Sequence, residues 1–167
     1  MEIIDYIFAM KVLFVCTANI CRSVMAEGIL KKLLTSSSNS QMVFVASAGI
    51  DALEGFTPDR NTLEVCTRRN VHIGSHKAQQ LTKSMLKETD IVLCMAKIHK
   101  ERILSAFPKF HKHVFLLKEY LLHKSPQEVS IKDPTGKSKK HYEACFKEIE
   151  HEVHRIAPTI LKKSVEK

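Results

Sequence analysis

Residues 12–23 read VLFVCTANICRS, and the fold turns on how this stretch is read. An apolar, β-branched run ends at Cys16. Five residues, TANIC, follow. Arg22-Ser23 then opens a segment in which Met25, Ile29, Leu30, Leu33 and Leu34 share one helical face. The stretch is therefore strand, short loop, helix, with one thiol at the carboxyl end of the strand and one guanidinium at the start of the helix.

The same alternation continues in both directions. KVLFVC (11–16) reads as a buried strand, 22–36 as a helix and QMVFVA (41–46) as a second strand. A second helix runs from Pro58, placed in its first turn, to about Asn70. A short helix covers Thr82–Glu88, and DIVLCM (90–95) is a third strand. Residues 97–106 are helical and stop before Pro108, and HVFLL (113–117) is a fourth strand. The last helix spans Ser138–Ala157, with Tyr142, Cys145, Phe146, Ile149, Val153 and Ile156 at three- and four-residue spacing. Strands without clean polar–apolar alternation, each followed by a helix, are buried on both faces. The expected class is α/β, a four-stranded parallel sheet flanked by helices on both faces. Ligands of such sheets sit beyond the carboxyl ends of the strands, where Cys16 lies.

The 167 residues suit one domain, drawn here as 10–163, with 1–9 as an N-terminal extension and 164–167 as a tail. Met10, just before KVLFV, is an alternative start. The composition is that of a soluble globular chain, 44% hydrophobic and 26% charged, with a net charge of +8 that favours anionic partners. No nucleic-acid-binding signature accompanies that charge, so nucleic acid is not expected. MEIIDYIFAM lacks the basic start of a signal peptide, no apolar stretch is long enough to span a bilayer, and no membrane association is expected. Five cysteines without a scaffold spacing point to a reducing compartment, the cytoplasm, and a monomer is expected.

Cys16 and Arg22 form C-x5-R, a weak signal by spacing alone. Context strengthens it. A loop between a strand and a helix N-terminus can aim successive N–H groups inward and build a phosphate nest. Arg22 adds a planar fork for two phosphate oxygens. The amides, the helix dipole and Arg22 would favour Cys16 as a thiolate, and Ser23 could donate a hydrogen bond to its sulfur.

VLFVCTANICRS resembles the phosphate-binding loop of the low-molecular-weight protein tyrosine phosphatases, and the likeness extends from about Met10 to about Leu161. The resemblance implies a flavodoxin-like fold and a phosphorylated protein as substrate. It implies Cys16 as nucleophile, Arg22 as phosphate clamp and Ser23 as thiolate partner, with Thr17, Ala18, Asn19, Ile20 and Cys21 completing the loop. It places Asn19 in a strained backbone position, tied to Ser47 of VASAG and His76 of GSHKAQQL. The general acid implied is an Asp-Pro late in the chain, and Asp133-Pro134 is the one such pair present. Asp133 would protonate the leaving oxygen and then activate water against a phosphocysteine. A mildly acidic optimum is expected, and no metal or cofactor, since Arg22 and the amides carry the phosphate charge.

The chain departs from the family pattern at three places, and a fourth position bears on specificity. Thr135-Gly136 follow Asp133-Pro134 where eukaryotic members carry aromatic walls. Leu53 is aliphatic at the other wall position. Ala18 stands where glycine is usual. Ile20 stands where a bacterial branch that dephosphorylates arginine, similar to this chain around HVFLLKEY, has threonine. Ile20 favours an aromatic ring, so phosphotyrosine is the leading substrate and phosphoarginine the alternative. Cys21 reads either as a small packed residue or as a thiol that traps oxidised Cys16 in a disulfide.

Other readings are weaker. A thiol-linked arsenate reductase needs a cysteine pair near the third strand, and Cys94 has no such partner. A non-catalytic phosphopeptide binder would not need both Cys16 and Asp133. The pairs His72/His76, His111/His113 and His151/His154 have ligand-like spacing but lack the rest of any metal motif. Lys137, Lys139 and Lys140 read as a solvated turn or as a substrate-recruiting patch.

Overall fold

Even- and odd-numbered residues of the first strand, β1 (Met10–Cys16), enter two different cores. The computed structural model describes residues 9–36 and 42–166. Residues 1–8 of the expected extension, most of the serine run and Gln41, the expected start of the second strand, lie outside the described residues.

Met10, Val12, Phe14 and Cys16 pack with Val24, Met25 and Ile29 of α1 (Arg22–Thr35) and with Tyr142, Phe146 and Ile149 of α5 (Lys139–Glu166). Leu13 and Val15 pack with Leu86 of α3 (Lys83–Glu88) and Ile103 of α4 (Lys97–Ala106) on the opposite side. A strand covered on both faces has no use for alternation, and its sequence shows none.

β1 lies between β2 (Val43–Gly49) and β3 (Ile91–Cys94), and β4 (Val114–Leu116) closes the far edge. All three pairings are parallel, and the order is β2-β1-β3-β4. The expected four-stranded parallel sheet is therefore present. The chain leaves β1 for β2 on one side and reaches β3 on the other, so the carboxyl end of β1 sits where the direction of winding reverses. That crevice is where such sheets hold ligands.

Among the boundaries that differ from the sequence reading, three have a visible physical cause. β2 runs on to Gly49, because Ser47, Ala48 and Gly49 pair with Phe14, Val15 and Cys16. Ser, Ala and Gly are poor strand formers, and the neighbouring strand overrides that preference. Gly49 suits this position for a second reason: a Cβ there would stand 2.4 Å from the Thr17 carbonyl oxygen.

The helix α2 (Arg60–Arg68) starts two residues after Pro58, which stands outside it. Asp59 is its N-cap, its carboxylate accepting from the Asn61 and Thr62 amides, and that capping sets the start. Helix α5 passes through Pro158 and continues to Glu166, beyond Ala157. The proline costs about 3 kcal/mol or more in a helix interior. Ile156, Ile160 and Ser164 nevertheless continue the fully buried stripe, and that packing carries the helix through.

Candidate active site

The loop 17–21 turns its carbonyls outward. The carbonyls of Cys16 and Thr17 accept from the Ile50 and Asp51 amides at 3.0 and 2.9 Å. That of Ile20 accepts from the Asp59 amide at 3.0 Å, and that of Asn19 from the His76 ring Nε2 at 3.0 Å. In a trans peptide the next N–H points opposite to the carbonyl. The amides of Thr17, Ala18, Ile20 and Cys21 are thereby aimed at the loop's interior. Helix α1 starts immediately afterwards with Cys21 at its N-cap, no capping side chain and no acidic residue in its first turn. Its orphan amides and the positive end of its dipole face the same point. The loop and the helix start together form a cradle for an oxyanion.

Asn19 holds this shape. It is fully buried at φ 56°, in the left-handed region, and no other residue of 17–21 has a positive φ. Ala18 therefore needs none of glycine's freedom. The Asn19 amide donates to Ser47 Oγ at 2.8 Å and Ser23 Oγ at 2.9 Å, while its Oδ1 accepts from the Gln79 amide at 3.0 Å. Ser47 Oγ donates in turn to Glu27, whose carboxylate stands 3.6 Å from His76 Nδ1. Ser23 Oγ lies 3.0 Å from Cys16 Sγ. Because Ser23 already accepts from Asn19, its own proton is free to donate to the sulfur. The expected contacts of Asn19 with Ser47 and His76 are present, and Glu27 and Gln79 extend them.

Arg22 is 5% exposed and reaches across the cradle. Its Nη1 donates to the Ile131 carbonyl at 3.0 Å, and its Nη2 to Asp133 Oδ2 at 2.6 Å and to Thr17 Oγ1 at 3.5 Å. Asp133, 111 positions along the chain from Arg22, thus meets it directly. Burial by itself would raise the Asp133 carboxyl. Hydrogen bonds from Thr135 and the charge of Arg22 more than offset this, and the carboxyl lies below its ordinary value. The Thr135 amide donates to Asp133 Oδ1 at 3.0 Å, an Asx turn that fixes the carboxylate's orientation.

A cavity of about 170 Å³ opens above the loop, lined by Cys16, Thr17, Ala18, Ile20, Cys21, Arg22, Asp133 and Thr135. Ile20 and Thr135, expected as walls, are both there. Leu53 does not line this cavity and is 65% exposed on its own loop, with Phe56 exposed nearby in sequence. Cys21 lies in the first core, 3% exposed, and burial pushes its thiol well up. Burial likewise pushes the thiols of Cys66, Cys94 and Cys145 up to about 12. Those three do not line the cavity. Among the described residues no group of three or more His, Cys, Asp or Glu could hold a metal ion.

His99 was not among the residues singled out from the sequence. It is fully buried at the start of α4, which follows β3 at the carboxyl edge of the sheet. Its Nδ1 accepts from the Ala96 amide at 3.1 Å, and its Nε2 lies 3.0 Å from Thr17 Oγ1. Burial, then the positive charge of Arg22, pushes the ring down to about 4, so it is neutral at pH 7. The available signal was its place on the element after β3, beside the crevice.

Residues 11–167 match the family described as low molecular weight phosphotyrosine protein phosphatase. The chain belongs to that family. It is 35% identical over 149 residues to a probable low molecular weight protein-tyrosine-phosphatase, EpsP, of Ralstonia nicotianae, covering 89% of this chain and 94% of that one. It is 31% identical over 153 residues to a protein-arginine-phosphatase of Bacillus subtilis, covering 92% and 98%. Among solved structures it resembles a YwlE arginine phosphatase with a cysteine-to-serine substitution and a phosphorylated active-site serine. There the TM-score is 0.82 at 30% identity, covering 90% of this chain and 95% of that chain. The family's sheet is the sheet found here, and the loop after β1 is where this chain brings Cys16, Arg22 and Asp133 into one cavity.

Proposed function

We propose that the protein removes phosphate from phosphotyrosine in proteins, using Cys16 as nucleophile and Asp133 as general acid. The observation that carries this reading is the pairing of Arg22 with Asp133 at 2.6 Å directly over the Cys16 loop. It brings nucleophile, phosphate clamp and acid into one small cavity. A phosphate entering it takes the Arg22 fork in a bidentate pair and releases the carboxylate. The negative phosphate then stands beside Asp133, reverses the influence of Arg22 and favours the protonated acid.

Cys16 Sγ attacks phosphorus while the bond to the tyrosine oxygen breaks. Asp133 gives its proton to that oxygen, and Cys16, entering as the thiolate, becomes a phosphocysteine. Asp133, now a carboxylate, takes a proton from water, and the resulting hydroxide displaces the sulfur to release inorganic phosphate. The Ser23 hydroxyl steadies the departing thiolate at 3.0 Å. The inward amides and Arg22 hold the charge of the transferring group throughout. The phosphorylated serine in the related arginine phosphatase supports covalent transfer to this loop position.

Ile20 lines the cavity with its aliphatic side chain, which supports an aromatic leaving group over a guanidinium. A second reading, an arginine phosphatase, is favoured by the relatives that bear that name and by the lack of an aromatic wall at Thr135. We place the protein in the cytoplasm, a reading that its five free cysteines support, and take it as a monomer. The deciding experiment compares phosphotyrosine and phosphoarginine peptides on wild type and Ile20→Thr. Wild type should prefer phosphotyrosine, and the substitution should shift the ratio of kcat/KM toward phosphoarginine by about 10-fold or more. A ratio that Ile20→Thr leaves unchanged removes Ile20 as the specificity determinant, and a wild-type preference for phosphoarginine replaces the first reading with the second.

A further inference from the structure

We propose that His99 is a positioning residue that fixes the Thr17 hydroxyl as an additional hydrogen-bond donor to the transferring phosphoryl group. The inference rests on the phosphatase reading above and adds to it a donor and the residue that orients that donor.

The argument is one of proton accounting. A neutral imidazole has one donor and one acceptor. The Ala96 N–H can only donate, so His99 Nδ1 is the acceptor, and Nε2 carries the proton. Nε2 therefore donates to Thr17 Oγ1 at 3.0 Å. Arg22 Nη2 has only protons to offer and approaches the same oxygen at 3.5 Å. With both lone pairs of Thr17 Oγ1 addressed by donors, its own proton must point to an acceptor. Thr17 lines the cavity beside Arg22 and Asp133, where a phosphate oxygen would be that acceptor. A threonine hydroxyl left to itself rotates to suit its neighbours. His99 removes that choice, and the Ala96 amide holds the ring in the one tautomer that does so.

The same ring also caps the first turn of α4 through Ala96, so a purely structural role is the competing explanation. The two are separable. In His99→Asn the shorter amide can still accept from Ala96 but cannot reach Thr17. Thr17→Val removes the hydroxyl and keeps the shape.

The experiment measures inorganic phosphate affinity, kcat/KM on a phosphotyrosine peptide and Tm for wild type, both single variants and the double. Thr17→Val should lower kcat/KM by about 10- to 100-fold, the range for a hydrogen bond to a charged group. His99→Asn should lower it by about 3- to 10-fold, a fraction of that same bond. The double variant should be no worse than Thr17→Val, in kcat/KM and in phosphate affinity. Effects that multiply, or a His99→Asn that lowers Tm with kcat/KM intact, overturn the proposal in favour of simple capping. Should the peptide prove not to be a substrate, the phosphatase reading fails, and phosphate affinity alone decides whether His99 acts through Thr17. Nitrogen NMR of the wild-type imidazole gives a check that needs no variant: a His99 ring protonated on Nδ1 instead of Nε2 overturns the inference.

Discussion

Replacing Asn19 with alanine tests whether the loop is held by the hydrogen bonds described. The side chain makes three: to Ser47 Oγ, to Ser23 Oγ and from the Gln79 amide. The two serines keep their own donations, to Glu27 and Cys16, so each loses one net bond worth about 1 kcal/mol. The Gln79 amide loses its acceptor, and an orphaned buried donor costs about 1–3 kcal/mol. Alanine at φ 56° adds about 1 kcal/mol or more, because its Cβ resists the left-handed region that asparagine tolerates. The total is about 4–6 kcal/mol, which for a chain of this size lowers Tm by roughly 8–24 °C. Activity should fall further than stability, because Ser23 is then free to turn its proton away from Cys16 and the cradle loses its shape. A displacement of about 1 Å costs on the order of 100-fold in rate. The assay pairs thermal unfolding at pH 7 with kcat/KM on a phosphotyrosine peptide at a temperature where the variant is folded. Ser47→Ala, which removes one link of the chain, should lose less on both measures. A fall in Tm below about 3 °C, or a folded Asn19→Ala with wild-type kcat/KM, would refute the reasoning.

Asp133→Ala should lower kcat/KM for phosphotyrosine by ~10²–10⁴ as a lost general acid, and should lower kcat/KM for an aryl phosphate with a good leaving group much less. Equal losses on the two substrates, measured by steady-state kinetics, would move the acid elsewhere. The Asp133 carboxyl is held below its ordinary value, so the stability it contributes is present above the unfolded value, about pH 4, and is lost as pH falls through the folded one. Asp133→Asn should therefore unfold with a weaker acid dependence than wild type, read from Tm between neutral and strongly acidic pH; identical acid limbs would contradict the Arg22 pairing. Gly49→Ala places a methyl 2.4 Å from the Thr17 carbonyl and should destabilise by about 1–3 kcal/mol while lowering kcat/KM, since the relief must come from the loop backbone. An unchanged Tm would show that β2 yields instead.

Much of this architecture was legible in residues 12–23. A two-sided buried strand that stops at a cysteine and restarts as a helix at an arginine already implies a parallel sheet and an anion cradle. Asp133 was legible because Asp-Pro occurs once, before the last helix. The limits lay where tertiary contacts overrule local preference. β2 extends through Ser47 and Gly49 because β1 pairs with it, and α5 crosses Pro158 because Ile160 is buried beyond it. His99 was missed for a different reason. Histidine pairs were weighed as metal ligands by their spacing along the chain, whereas His99 acts across 82 positions on a hydroxyl brought to it by the sheet order. Leu53 shows the converse, a position carried over from family pattern that does not line the cavity here.

The central claim is that Cys16 carries the phosphoryl group. Asp133→Ala retains the nucleophile and lacks the base that opens the intermediate, so it should accumulate phosphoenzyme from an aryl phosphate with a good leaving group. Rapid quenching followed by peptide mass spectrometry should find one phosphoryl group, bound to the Cys16 thiol and absent when the substrate is withheld. Steady hydrolysis with an unmodified Cys16 throughout, or phosphate recovered on another residue, would contradict the account.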